Sequence, residues 1–137
     1  MTAFVDTSVL YALLATESDE HAEAREAFIR VASQEPLATH AYVEVETISL
    51  VQRRLGMAAV EHLIADILPA LDVEMVTAEL HLRAREDLRR DPARGISFVD
   101  RVSFAFMRDH GLGLALAVDD DFSSQGFEVL PGPRRGS

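Results

Sequence analysis

Cysteine is absent from this chain of 137 residues, and so is lysine: all thirteen basic side chains are arginines. Without thiols there is no disulfide framework, no thiolate metal site and no cysteine nucleophile, which suits a reducing compartment. Long apolar runs are missing too. Acids break each of them before the roughly 20 residues that a membrane-spanning helix needs, so no membrane contact is expected. The opening MTAFVDTSVL lacks a basic start followed by an apolar stretch and a cleavage site, so no secretory leader is expected and a cytoplasmic location is. Positive charge is scarce: 13 basic against 23 acidic residues give a formal net charge of −10. A protein that held nucleic acid by surface charge alone would be basic, which argues against that mode.

What the chain does have is apolar content, 48% of its residues, enough for one continuous core. A single domain over 1–131 is expected, with 132–137 as a flexible polar tail. Strand and helix signals alternate. AFVDT reads as a first strand and SVLYALLA as the helix after it. SDEHAEAREAFIRVASQ is an amphipathic helix with Ser18 or Asp19 as its cap and Ala22, Phe28, Ile29 and Val31 among its apolar positions. After Pro36, PLATH is a second strand, and AYVEVETISLVQRRLG a long helix that Gly56 stops. MAAVEHLIADIL is a further helix, LDVEMV a third strand and AELHLRAREDLRR a helix with a cationic last turn. DPARGIS is a loop, FVDRVSFAFMRDHG a helix, LALAV a strand and GFEVLPG a short last strand.

Strands separated by helices predict an α/β fold, a three-layer α/β/α sandwich around a parallel sheet. Such sheets bind ligands beyond the carboxyl ends of their strands. Asp6 ends the first strand and Asp119 ends a later one, so both would lie on that edge, and in neighbouring strands their carboxylates would converge. Two more acids interrupt apolar helix. Glu46 shares a helix face with Val43 and Leu50, and Asp100 lies in a first turn, where backbone N–H groups favour an anion.

Each acid also has a structural explanation. Asp6 before Thr7 and Ser8 fits a helix cap, Ser97 with Asp100 fits a capping box, either Glu44 or Glu46 could face water, and the run Asp119–Asp121 could be a polar turn. Their joint occurrence is what points to a site. Clustered carboxylates raise one another's pKa unless a cation sits among them, and without lysine or cysteine a hard divalent ion is the natural neutraliser. The five histidines, at 21, 40, 62, 81 and 110, lack paired metal spacing and read as surface or satisfied core residues.

Four segments in order, FVDTSVLYALL, YVEVETISLVQRRLG, SFVDRVSFAFMRDHGL and LALAVDDDFSSQGFEVL, resemble the PIN-domain ribonucleases, and among them the VapC-type toxins of toxin–antitoxin pairs. The similarity runs from Phe4 to about Leu130. It implies a metal-dependent endoribonuclease with Asp6, Glu46, Asp100 and Asp119 as the four pocket acids. Asp121 falls where relatives carry a further acid or histidine, and Thr7 and Ser8 at the small hydroxyl positions after the first acid, as candidate substrate contacts. Mg²⁺ or Mn²⁺ would be the cofactor. The implied partners are an RNA substrate, a small antitoxin and a second copy, in a homodimer or dimer-based complex.

Phosphodiester hydrolysis asks for an activated water and relief of charge on the phosphate, which divalent ions held by carboxylates supply. Arg53, Arg54, Arg94 and Arg101 could contact phosphates, and equally could be solvated or cap helix ends. A receiver domain would need a late-strand lysine. An Asp-x-Asp phosphatase would need an acid where Ser8 stands. The remaining alternative is a catalytically silent PIN-like scaffold that binds a partner.

Overall fold

In the computed structural model, which describes residues 1–93 and 95–134, the chain starts as strand β1 (Ala3–Val5), buried along its whole length. Asp6 stops it. The carboxylate of Asp6 accepts from the Ser8 N–H at 3.1 Å, and helix α1 (Thr7–Leu14) begins at the next residue. The strand expected over AFVDT is therefore shorter: the Asp6 N–H still donates to the Leu116 carbonyl at 3.0 Å, but its carboxylate caps the helix, which claims Thr7 onward.

A turn leads into α2 (His21–Ala32), followed by β2 (Leu37–His40), α3 (Ala41–Arg54) and α4 (Met57–His62). After β3 (Leu71–Glu74) come α5 (Ala78–Arg90), α6 (Phe98–Asp109), β4 (Leu114–Ala117), the short α7 (Asp121–Ser124) and β5 (Glu128–Pro131). The five strands are all parallel, in the order β3-β2-β1-β4-β5. Helices flank the sheet: α1 packs against α2 and α3, and α5 against α6. This is the expected α/β architecture. Among the described residues no helix is long and apolar enough to cross a membrane.

From β1 the chain builds outward through β2 to β3, then returns to add β4 on the other side of β1. The strand order reverses between β1 and β4, and helices leaving these strands diverge, opening a crevice at the carboxyl edge. Ala3, Phe4 and Val5 pair with Leu114, Ala115 and Leu116. That register brings Asp6 and the residues after Ala117 to one edge. Beneath it the buried ring of Phe4 lies 5.8 Å from both Phe106 and Phe122, which fixes the floor of the crevice in close-packed aromatics.

Several boundaries differ from the sequence expectation for local reasons. Neither Ser18 nor Asp19 caps α2: Ser18 donates its N–H to Ala15 in a turn, Glu20 is already helical, and the entry is anchored by His21 Nδ1 on the Ala12 carbonyl at 2.8 Å. The buried face of α2 is Ala24, Ala27 and Val31, so Ala22 and Ile29 face outward. The helix expected over 57–68 passes from α4 into a wider π turn (Leu63–Ile67) and a 3-10 turn (Leu68–Ala70) around Pro69, which has no N–H to give. The acidic run, which the sequence suggested as a polar turn, leads into α7 at its last acid, Asp121. At the chain end Gly132 is buried and donates to Ala117 at 3.0 Å, and Arg134 reaches Asp19 and Glu23, so the tail expected to be flexible starts packed. Residues 135–137 lie outside the described part.

Candidate active site

Asp6 is the one buried acid of the described residues, 5% exposed. The Ser8 N–H and hydroxyl both donate to its Oδ2, at 3.1 and 2.7 Å, and the same hydroxyl accepts from the Val118 N–H at 3.1 Å. Ser8 thus ties the end of β1 to the end of β4. Among the described residues the other oxygen, Oδ1, receives no hydrogen bond. Burial pushes the Asp6 carboxyl up to about 7, the Ser8 bonds oppose this, and the charges of Asp100 and Asp119 push it further up.

Asp119 is half-buried just past β4, and its Oδ1 accepts from the Asp121 N–H at 3.2 Å, which starts α7. Burial raises its pKa, the bond from Asp121 lowers it, and the charges of Asp121, Asp100 and Asp120 raise it. Asp120 is exposed, whereas Asp121 turns back as the first residue of α7. The pKa of Asp121 is raised too, by desolvation and then by Asp120.

Asp100 arrives from α6. The capping box is real: Asp100 Oδ2 accepts from the Ser97 N–H at 3.1 Å, and Ser97 Oγ accepts from the Asp100 N–H at 3.0 Å. Burial raises the Asp100 pKa, the Ser97 bonds lower it, and Asp121 and Glu46 raise it. Glu44 and Glu46 are both half-buried on α3, and it is Glu46 whose charge reaches Asp100. The cap and the cluster are therefore compatible: Asp6 and Asp100 each stabilise a helix start while facing other carboxylates.

No cation in the described residues neutralises this group. None of Asp6, Glu46, Asp100, Asp119 and Asp121 takes part in an ion pair, although His62–Asp66, Arg83–Asp109, Arg89–Glu86, Arg101–Asp91, His110–Glu74 and Arg134–Glu23 do. The donor set is all oxygen, carries several negative charges and leaves Asp6 Oδ1 unengaged, which fits a hard divalent ion by chemistry. No three of the described acids or histidines converge closely enough to grip one ion as they stand. Seating one takes rotation of half-buried side chains such as Glu46 and Asp119 between staggered rotamers.

The other residues singled out in the sequence lie apart from the acids or serve the frame. Thr7 Oγ1 donates to the Val43 carbonyl at 3.4 Å and accepts from Thr47 at 3.0 Å, facing the core. Arg53 stands two turns beyond Glu46 on α3, about 10 Å along its axis, and Arg54 covers the Tyr11 ring at 5.8 Å. Arg101 is buried against the connection before α6, where its guanidinium reaches the carbonyls of Asp87 and Ala93. Arg94 falls outside the described residues. The histidines all have partners.

One histidine matters for the site in a way its sequence context only hints at, by standing directly before α3. His40 is fully buried. Its Nδ1 accepts from the Val43 N–H at 3.3 Å, which leaves the proton on Nε2, 2.8 Å from Ser103 Oγ. Ser103 donates onward to the Val99 carbonyl at 3.0 Å. This links the start of α3, which carries Glu46, to α6, which carries Asp100. Burial lowers the His40 pKa to about 4, so the ring is neutral.

The profile of the PIN domain matches residues 3–128 of the chain. The 23S rRNA-specific endonuclease VapC20 of Mycobacterium tuberculosis is 42% identical over 131 residues, covering 93% of this chain and 98% of that protein. The crystal structure of that VapC20, described as a sarcin-ricin loop cleaving toxin, superposes with a TM-score of 0.81 at 40% identity, over 91% of this chain and 95% of the other. At 12% identity, VapBC2 from Rickettsia felis bound to a promoter DNA fragment shares the fold with a TM-score of 0.71, over 94% of this chain and 97% of the other.

Proposed function

Since this chain belongs to the PIN domain family, we propose that it is a metal-dependent endoribonuclease and the toxin of a toxin–antitoxin pair. The observation that carries this reading is the buried Asp6 carboxylate at the reversal of the sheet, within reach of the charges of Asp100 and Asp119 and with no cation paired to any of them among the described residues. Asp6 and Asp119 would hold a divalent ion from the strand ends, and Asp100, Glu46 and Asp121 from the helices around them. Mg²⁺ or Mn²⁺, once bound, supplies an activated water and offsets charge on the phosphate and the leaving oxygen.

The chain's own residues prepare that chemistry. Ser8 holds Asp6 Oδ2 in place and leaves Oδ1 for a ligand. Because Asp6 keeps its proton up to about pH 7, ion binding must displace that proton, which ties activity to neutral or higher pH. The link from His40 through Ser103 fixes the spacing of the two helices that bring Glu46 and Asp100.

The identity to VapC20 over almost the whole chain supports structured ribosomal RNA as the substrate class. A small antitoxin is the proposed partner. A groove of about 360 Å³ between α1, α2 and the end of α4, lined in part by Leu13, Phe28, Ile29 and Ile67, supports docking of an apolar segment. A homodimer, or a dimer-based complex with the antitoxin, is the proposed assembly, and the exposed Val45 and Met57 supply apolar surface for it. A cytoplasmic location is consistent with this role.

The direct test uses purified, antitoxin-free protein with ribosomal RNA and a hairpin of the sarcin-ricin loop. Cleavage that needs Mg²⁺ or Mn²⁺ and stops in chelator is the expected result. Cleavage unchanged by excess chelator would remove the metal from the reading.

A further inference from the structure

Seven of the thirteen arginines fall between positions 83 and 108. The ends of α5 and α7 and one side of α6 enclose a cavity of about 260 Å³ there, lined by Arg90, Arg101, Arg108 and Gln125 together with Asp87 and Asp91. On a chain with a net charge of −10, this lining carries three positive charges against two negative ones.

Arg101 is the unusual member. It is 6% exposed, the one buried arginine among the described residues. Its two terminal nitrogens reach the Asp87 and Ala93 carbonyls at a long 3.4 Å each, and its Nε has no acceptor among the described residues. The nearest carboxylate, Asp91 Oδ2, is 4.0 Å away on a side chain that is 73% exposed and so screened by water. A buried guanidinium with an unused N–H is an incomplete arrangement. Arg90 and Arg108 stand at the exposed rim, and Arg108 is already steered by Gln125, whose backbone and side-chain oxygens lie 3.3 and 3.1 Å from its Nη2.

The cavity and the acidic site draw on the same two helices, α6 and α7. Arg101 follows Asp100 directly on α6, and Gln125 ends the short helix that Asp121 begins. An RNA strand with one phosphate at the acids carries another at every neighbouring nucleotide, and those flanking charges are repelled by the acids. Guanidinium groups match phosphate oxygens in charge and in their forked geometry. We propose that the Arg90, Arg101 and Arg108 cavity is a subsite for a backbone phosphate of the bound RNA that flanks the cleaved segment. This rests on the ribonuclease reading, and it gives an acidic protein a local cationic foothold for a polyanion.

The test is binding of a fluorescein-labelled sarcin-ricin hairpin to the full chain carrying Asp119→Asn, which prevents turnover, in Mg²⁺ across a series of KCl concentrations. Arg101 also holds the connection before α6 and its removal could unfold the chain, so the rim pair is changed instead, as R90Q with R108Q. The expected result is roughly tenfold weaker binding at 100 mM salt and a slope of log Kd against log salt reduced by about 1, as for loss of one to two phosphate contacts. R25Q with R30Q on α2 makes the same change in net charge away from the cavity and is expected to leave both nearly unchanged. If the rim pair behaves like the α2 pair, the subsite is overturned while the ribonuclease reading stands. If the Asp119→Asn chain with its arginines intact fails to bind the hairpin at all, that reading falls and the subsite with it.

Discussion

His40 Nε2 and Ser103 Oγ lie 2.8 Å apart, both fully buried, so the last residue of β2 and the second turn of α6 share one hydrogen bond shielded from water. Phe4, Phe106 and Tyr42 surround the imidazole with ring centroids at 5.7, 5.5 and 6.0 Å. With Ser103→Ala the Nε2–H is left buried and without an acceptor. The expected loss of stability is about 1–3 kcal/mol, read as a lower urea midpoint at unchanged m-value. A variant as stable as the unaltered protein would mean that another acceptor reaches Nε2.

Asp6 and His40 oppose each other in their dependence on pH. An unfolded Asp6 loses its proton near 3.8 and the native one near 7, so between these values the native state holds more protons and stability falls as pH rises. An unfolded His40 gains its proton below 6.5 and the native one only below about 4, so stability falls as pH drops through that window. At about 1.4 kcal/mol per pH unit the two effects are each roughly 3–5 kcal/mol. In metal-free protein these two contributions therefore nearly cancel from pH 4 to 6.5. Asp6→Asn removes one arm: its stability should climb across that window, exceed that of the unaltered protein above pH 7, and accompany loss of cleavage. Denaturation curves at several pH values check this, and parallel profiles for the two proteins would rule out the buried, protonated Asp6.

The fold was legible in the sequence because its signals are local: apolar runs too short for helix, punctuated by Pro36, Gly56, Pro69 and Gly111, alternate with amphipathic stretches. The neighbourhood of Asp6 and Asp119 was legible only as a condition, since nothing local says that β4 inserts beside β1. Ser8 was read as a small hydroxyl facing substrate, and its bond to Val118, 110 residues away, depends on that same strand pairing. The bond between His40 and Ser103 spans 63 residues and was hidden for the same reason. Boundaries moved where one side chain had two local uses, as with Asp6 between strand and cap. The short α7 was obscured because three successive acids read as a turn, whereas Phe122 within it is pulled into the core by Phe104 at 5.0 Å.

Ser8→Ala isolates the clamp between the strands. It removes the hydroxyl bond that stabilises the Asp6 anion and leaves the Val118 N–H without its partner. The Asp6 pKa should rise further, because the opposing contribution of that bond is lost. The midpoint of the pH–activity profile is then expected to move to higher pH, with much of the rate recovered at pH 9. A profile that keeps its midpoint and only loses amplitude would assign Ser8 to substrate contact instead of to Asp6.

Metal binding should itself depend on pH, because an ion and a proton compete for Asp6. At pH 8 the carboxylate is ionised, and Mn²⁺ at one hundred times its Kd stabilises the native state by about 2.7 kcal/mol, a rise in Tm on the order of 8 °C for a domain of this size. At pH 5.5 the native Asp6 carboxyl, with its pKa of about 7, is mostly protonated. Expelling that proton weakens apparent binding by roughly thirtyfold, which leaves about 0.8 kcal/mol at the same ion concentration. The Tm shift should therefore shrink about threefold between pH 8 and pH 5.5. Asp119→Asn should reduce the shift at pH 8 by removing a negatively charged ligand next to Asp6, and Asp120→Asn, on the exposed side of the same turn, should largely preserve it. Equal shifts at both pH values would show that the ion binds elsewhere, and no shift at pH 8 would mean that the carboxylates meet without holding one.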